Sequence, residues 1–149
     1  MSKPTITFNS SHSLTEENIL DIITTALEGG IGYWACLDNT DPDWEAARDQ
    51  WIKEHTTKDN PKPQPCYCDV AYQVLKNGKA IKLIDDSYEC EQENDEVYTI
   101  TMDKFKEGCS KYVSYTGKDI KKSIDESNFD AEDADMIFQF AAMGEIVYG

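Results

Sequence analysis

The chain has 149 residues and 40% of them are apolar, so one domain with a hydrophobic core is expected rather than a disordered chain. Its 29 acidic and 14 basic residues give a formal net charge of −15, which disfavours direct binding to nucleic acid or to an anionic membrane surface. No apolar run approaches the ~18 residues of a membrane-spanning helix and no signal-peptide pattern opens the chain, so a cytoplasmic protein is expected.

The first strong pattern predicts a helix over residues 14–28. Ser13 and Glu16 match a capping box, and apolar residues follow at helical spacing. Gly29 and Gly30 predict the end of this helix, because glycine enters the left-handed conformation of a C-cap at little steric cost.

A strand and a second helix are predicted next. The short apolar run 33–37 is typical of a strand buried in the middle of a sheet. Asp41 can cap a helix, and Pro42 fits its first position, so a helix is predicted from there to about His55. Three prolines make 56–65 a predicted loop.

The middle of the chain predicts one helix and a hairpin. Residues 67–76 place their apolar side chains on one helical face. Residues 79–84 and 97–101 read as strands, and because sequential strands commonly pair, they are predicted to be antiparallel neighbours.

The C-terminal third predicts two helices. The first is an amphipathic helix over 102–113, and a polar stretch follows at 116–127. The last helix is predicted to begin near Asp130, where carboxylates meet the positive end of the helix dipole, and to end at Gly144.

These elements do not alternate strictly, which favours an α+β fold. The expectation is a single domain over 1–149, with about five helices around a small, mainly antiparallel sheet of three to four strands. Residues 1–12 are expected to be flexible, and 56–65 and 85–95 to be exposed loops.

The five cysteines predict neither a disulfide framework nor a metal site. Their number is odd, and Cys66 and Cys68 are separated by one residue, whereas structural zinc sites usually leave two to four. Cys36 and Cys109 are expected to be small core residues. No cofactor is predicted.

Recognisable catalytic motifs are absent from the sequence. There is no nucleophile elbow and no phosphate loop, since the glycines at 29–32 follow a helix and precede a strand, the reverse of the order that phosphate binding needs. An enzyme whose site is assembled from distant residues is therefore only a second alternative.

Two acidic runs stand out, at 85–96 and 125–135. Three interpretations compete: a solvated surface, a calcium site, and a surface that presents negative charge to a basic partner. Calcium is disfavoured because neither run has the central glycine of an EF-hand loop. The candidate partner-binding residues of the first run are Asp85, Asp86, Glu89, Glu91, Glu93, Asp95 and Glu96.

Three segments carry a resemblance to a known class of proteins. TALEGGIGYW at 25–34, DAEDAD at 130–135 and GEIVYG at 144–149 are similar to the start and the tail of small phage and mobile-element proteins of Gram-positive bacteria. These proteins usually have no assigned function, so the resemblance implies an accessory role and no catalytic residues. Small acidic proteins of such elements often resemble inhibitors of host restriction or CRISPR systems.

The leading hypothesis is a non-enzymatic accessory protein that binds a host protein with a basic surface. The host protein would be a nucleic-acid-handling or defence enzyme that is inhibited by charge mimicry. The alternative is a small-ligand protein, for instance one that binds a nucleotide, with Tyr33 and Trp34 in an aromatic groove. This alternative would need scattered lysines, among them Lys82 and Lys118, to gather on one face.

Overall fold

The fold combines helices with two small antiparallel sheets, which confirms the predicted α+β class. A computed structural model describes residues 5–9, 12–85 and 97–149. No helix within these ranges is long and apolar enough to cross a membrane. The helices are α1 (Glu16–Thr25), α2 (Pro42–His55), α3 (Tyr67–Lys76), α4 (Met102–Thr116), α5 (Ile120–Asp125) and α6 (Ala131–Met143).

The strands form a hairpin and a three-stranded sheet. They are β1 (Thr5–Asn9), β2 (His12–Thr15), β3 (Ala35–Leu37), β4 (Ile81–Asp85) and β5 (Val97–Ile100). β1 pairs with β2, and the larger sheet has the order β3–β4–β5. The predicted antiparallel pairing of the two middle strands is confirmed, with Leu83 opposite Tyr98.

The strand predicted at 33–37 differs from expectation in two ways. It begins only at Ala35, and it lies at an edge of the three-stranded sheet, whose central strand is β4. Side chains alternate between the faces of a strand, so Ala35 is buried whereas Cys36 is exposed. The expectation of a core position for Cys36 is therefore wrong, whereas Cys109 is buried as predicted.

The N-cap of helix α1 lies two residues later than predicted. Ser13 lies in β2, because the chain pairs with β1 as far as Thr15. Thr15 is the N-cap: its hydroxyl accepts from the N–H of Asn18, and the Asn18 side chain accepts from the N–H of Thr15, both at 3.1 Å. The hairpin therefore moves the start of the helix.

The helical path ends at Gly30, within the predicted stop, but the left-handed C-cap that was predicted there is wrong. The helical path continues as a π-helical turn, Ala26–Gly30, and neither glycine has a positive φ. A Cβ atom on Gly30 would lie 2.8 Å from the carbonyl oxygen of Ala131, at the start of α6. Gly30 is thus required because two backbones approach closely, and the glycine does not serve as a C-cap.

Several predicted boundaries are confirmed. α3 spans 67–76, and Asp41 caps α2 by accepting from the N–H of Asp43 at 3.0 Å. Asp130 caps α6, and Gly144 ends it with a φ of 80°. The polar stretch after α4 contains the short helix α5, which the sequence pattern did not indicate.

The core lies where α4 and α6 meet the sheet and α1. Trp34, Phe105 and Phe138 are fully buried, and the two phenylalanine rings meet edge to face with centroids 6.4 Å apart. A Cβ atom on Gly108 of α4 would lie 2.7 Å from the carbonyl oxygen of Ile137, so these two helices are in close backbone contact.

Candidate functional site

The acidic run at 85–96 begins with a buried residue. Asp85 ends β4 and is 5% exposed, so its expected place in an exposed loop is wrong. Its Oδ2 accepts from the hydroxyls of Tyr148 at 2.7 Å and Tyr98 at 3.2 Å, which compensates the carboxylate for the loss of water. The other candidate residues lie outside the described part of the chain: Asp86, Glu89, Glu91, Glu93, Asp95 and Glu96.

A second buried carboxylate connects the segment just before β3 to the last helix. Asp135 of α6 is 7% exposed, and its Oδ1 accepts from the indole N–H of Trp34 at 2.7 Å. Its Oδ2 accepts from the hydroxyl of Tyr33. Burial, followed by the hydrogen bond to Asp135, raises the pKa of the Tyr33 hydroxyl above its usual value, so the hydroxyl remains a proton donor at neutral pH.

The C-terminal tail is fastened to the same network by Gln139, which is fully buried. Its Oε1 accepts from the backbone N–H groups of Val147 and Tyr148, both at 2.8 Å. Its Nε2 donates to the carbonyl of Tyr148 at 3.1 Å and to Asp135 at 3.0 Å. The side-chain amide of Gln139 thus forms three hydrogen bonds with the backbone of the tail.

An aromatic contact between Trp34 and Tyr148 also joins the tail to this network. The Trp34 and Tyr148 rings are nearly parallel, with an interplanar angle of 16° and centroids 5.6 Å apart. We call these residues the tail network: Tyr33, Trp34, Asp85, Tyr98, Asp135, Gln139 and Tyr148. The three segments that carry the sequence resemblance therefore meet in space, and they meet beside the strand end from which the acidic run leaves the sheet.

A cleft of about 450 Å³ opens over the tail network. Tyr33 and Tyr115 contribute exposed rings, and Gln139 lies at its base. Trp34 is fully buried and does not line the cleft, so its expected role as a ligand contact is wrong, whereas Tyr33 is placed to make one.

The nucleotide alternative would need five lysines on one face, and three of the five pair with carboxylates: the set is Lys79, Lys82, Lys118, Lys121 and Lys122. Lys82 forms an ion pair with the buried Asp41, and Lys118 lies 3.4 Å from Oδ1 of the buried Asp133. Lys121 pairs with Asp125 within α5 at 2.8 Å. These pairings weaken the nucleotide alternative, because each carboxylate competes with a phosphate for its cation.

A second cleft, of about 690 Å³, lies between α2 and α3. Cys66 borders it and is joined to Cys68 by a disulfide bond. This local bond was not expected, although it is not a framework that links separate elements. Asp69 completes a group of three metal-ligating side chains, yet a disulfide leaves no thiolate to bind a metal ion.

No family model, curated protein or solved structure matches the chain.

Proposed function

We propose that this protein is an accessory protein that binds, without any catalytic step, a basic surface of a host nucleic-acid-handling or defence enzyme, as phage-type inhibitors do. The observation that carries the proposal is the charge balance. If every lysine and arginine neutralised one carboxylate, an excess of fifteen carboxylates would still remain. Such an excess repels itself and is costly for a small fold, but it attracts a basic groove that ordinarily holds phosphates.

The position of the acidic run supports the same proposal. Ile84 of β4 pairs with Val97 of β5, so the run leaves and re-enters the sheet at adjacent points. Asp85, at its base, is held by Tyr148 of the tail network. A fixed base reduces the conformational entropy that the run would lose on binding, which favours its use as a recognition surface.

The test combines affinity capture from host lysate with competition. A captured protein supports the proposal if duplex DNA displaces it from the bait and if a charge-neutralised bait retains much less of it. The neutralised bait carries Asp86→Asn, Glu89→Gln, Glu91→Gln and Glu93→Gln. A matched control removes four exposed charges elsewhere, by Glu28→Gln, Glu54→Gln, Asp103→Asn and Glu126→Gln.

Equal loss of capture with both baits would mean that net charge alone drives the interaction. Equal retention by both would contradict charge mimicry and leave the acidic run as a solvated surface.

The cleft over the tail network favours small-ligand binding as the second candidate. Its aromatic rings and the Gln139 amide combine apolar area with a few polar groups, which is typical of ligand sites. Trp34 stacks on Tyr148, which lines the cleft, so the fluorescence of Trp34 would report occupation. A saturable change on nucleotide titration, abolished by Tyr33→Ala, would support this candidate, whereas unchanged fluorescence would oppose it.

A further inference from the structure

We propose that Cys66 and Cys68 form a thiol–disulfide exchange site that oxidises a dithiol in an extended peptide segment of another protein. This activity is independent of charge-driven partner binding and involves different residues. The two cysteines are bonded, with their Cα atoms 5.4 Å apart. Cys66 is exposed at the N-cap of α3, and Cys68 is half-buried in the first turn.

A structural role explains this disulfide poorly. A disulfide stabilises a fold chiefly by restricting the unfolded chain, and the restriction grows with the length of the loop that it closes. A bond between residues two positions apart closes a very short loop and links no separate elements. In reducing compartments, moreover, the disulfides that do occur are usually transient and catalytic or redox-sensing.

The surroundings of the pair suit exchange. Cys68 lies in the first turn of α3, where the positive end of the helix dipole stabilises a thiolate, and its thiolate is the first leaving group of the reaction. Asp69 Oδ2 accepts from the backbone N–H of Cys66 at 3.2 Å and lies 3.2 Å from its Sγ. In the reduced state this carboxylate can accept the hydrogen bond of the Cys66 thiol, so both redox states have a defined arrangement.

The neighbouring cleft offers a place for the substrate. It has room for several side chains, at about 690 Å³, and it is lined by Trp44, Arg48 and Tyr67 next to Cys66. Tyr67 is 63% exposed and Arg48 is also exposed, so an aromatic ring and a guanidinium group can contact a peptide backbone. A low-molecular-weight thiol such as glutathione would use little of this surface.

The exchange is balanced in two steps. A substrate thiolate attacks Sγ of the exposed Cys66, the Cys66–Cys68 bond breaks, and Cys68 leaves as a thiolate. The second substrate thiolate then attacks the substrate sulfur of the mixed disulfide, and Cys66 leaves. The substrate is oxidised to a disulfide by two electrons, the cysteine pair is reduced, and the two protons of the dithiol end on Cys66 and Cys68.

The experiment uses the full chain with Cys36→Ser and Cys90→Ser, which leaves the pair and the buried Cys109. A synthetic dithiol peptide is oxidised with glutathione disulfide as terminal oxidant, and the oxidised peptide is followed by its chromatographic shift, because the total number of free thiols does not change. The protein should accelerate oxidation at least about tenfold over the Cys66→Ser, Cys68→Ser form, because its exposed disulfide is the faster acceptor. After activation as a mixed disulfide with a small thiol, the Cys68→Ser form should trap on Cys66 a peptide in which one of the two cysteines is replaced by serine, because that peptide has no second thiol to release Cys66.

A substitution at Arg48 tests whether the cleft binds the peptide. Arg48→Ala should raise the KM for the peptide, whereas Lys53→Ala, an exposed change on the same helix, should leave the KM unchanged. No acceleration over the double-serine form would overturn the proposal. Stoichiometric zinc in the isolated protein that blocks oxidation of the pair would also overturn it, since the group would then be a metal site.

Discussion

At the scale of single residues, the structure holds a buried anion with neutral donors. Asp135 accepts from the Trp34 indole, the Tyr33 hydroxyl and the Gln139 amide. Hydrogen bonds to an ionised group are stronger than those between neutral groups, so several of them can offset the cost of burying a carboxylate. Both side-chain oxygens at position 135 must therefore accept hydrogen bonds.

Asp135→Asn should therefore lower the free energy of unfolding by about 1–3 kcal/mol, since the new NH₂ group faces a donor and leaves it without an acceptor. Urea unfolding followed by tryptophan fluorescence measures the change. Glu132→Gln removes the same charge from an exposed position on the same helix and should have little effect. Equal stability of the two variants would show that the tail network contributes nothing to folding.

Asp133 is a buried carboxylate that contributes to the acid sensitivity of the fold. Burial opposes its ionisation, but hydrogen bonds from the Tyr112 hydroxyl and the Asp130 backbone, together with the charge of Lys118, hold its pKa below the usual value. A carboxylate with a lowered folded-state pKa contributes stability at neutral pH. That contribution is lost as the pH falls below about 4, through the folded-state pKa.

Unfolding free energies of wild type and Asp133→Asn, compared between about pH 6 and about pH 3, should thus converge on acidification. Asp125→Asn removes an exposed carboxylate that pairs with Lys121 and is the control, with a small and nearly constant difference. A gap between wild type and Asp133→Asn that persists at low pH would contradict the linkage.

Roles that depend on residues nearby in the chain could be predicted from the sequence, whereas roles that depend on distant residues could not. Asp130 could be assigned as a cap because its partner, the N–H of Asp133, is three residues away. Asp135 could not be distinguished from its acidic neighbours, because Trp34 is 101 residues distant along the chain. The one local signal is Gln139, a polar residue four positions after Asp135 on an otherwise apolar face of α6.

At the scale of elements, the packing of α6 explains why a correct pattern led to a wrong interpretation. Two glycines after an amphipathic run are typical of a helix stop, and nothing local reveals that α6 crosses there. Gly30 meets the backbone of Ala131, and Gly108 meets that of Ile137, so α6 is approached closely on two sides. Helix boundaries set by caps can be read from the sequence, whereas those set by tertiary contact cannot.

Gly29 and Gly30 offer a direct comparison within the π-helical turn. A Cβ atom at Gly30 would lie 2.8 Å from a carbonyl oxygen, so Gly30→Ala should destabilise the protein by about 1–3 kcal/mol. At Gly29 a Cβ meets nothing within 4 Å, so Gly29→Ala should be neutral or stabilising by up to about 1 kcal/mol. Thermal or urea unfolding checks both, and a similar effect at the two positions would exclude the close approach as the cause.

At the scale of the whole molecule, the tail network joins the fold to its proposed function. The tail reaches Asp85 through Tyr148, and Asp85 marks the place where the acidic run leaves the sheet. The charge of the acidic run and the strands on either side of it could be predicted from the sequence. The burial of Asp85 could not, because nothing in a run of carboxylates indicates which one is buried. Buried Asp85 belongs to the fold, and recognition is assigned to the residues that follow it.

The central claim is that the carboxylates of the acidic run drive association with a basic partner. The association rate constant of the captured partner, measured at about 50 and about 200 mM salt, tests it most directly, since these salts span Debye lengths from above to below about 10 Å. The wild-type rate should fall at least about tenfold, and the rate of the variant neutralised at Asp86, Glu89, Glu91 and Glu93 should be lower and change much less. A wild-type rate that is independent of salt, or a variant that matches wild type at both salts, would contradict the account.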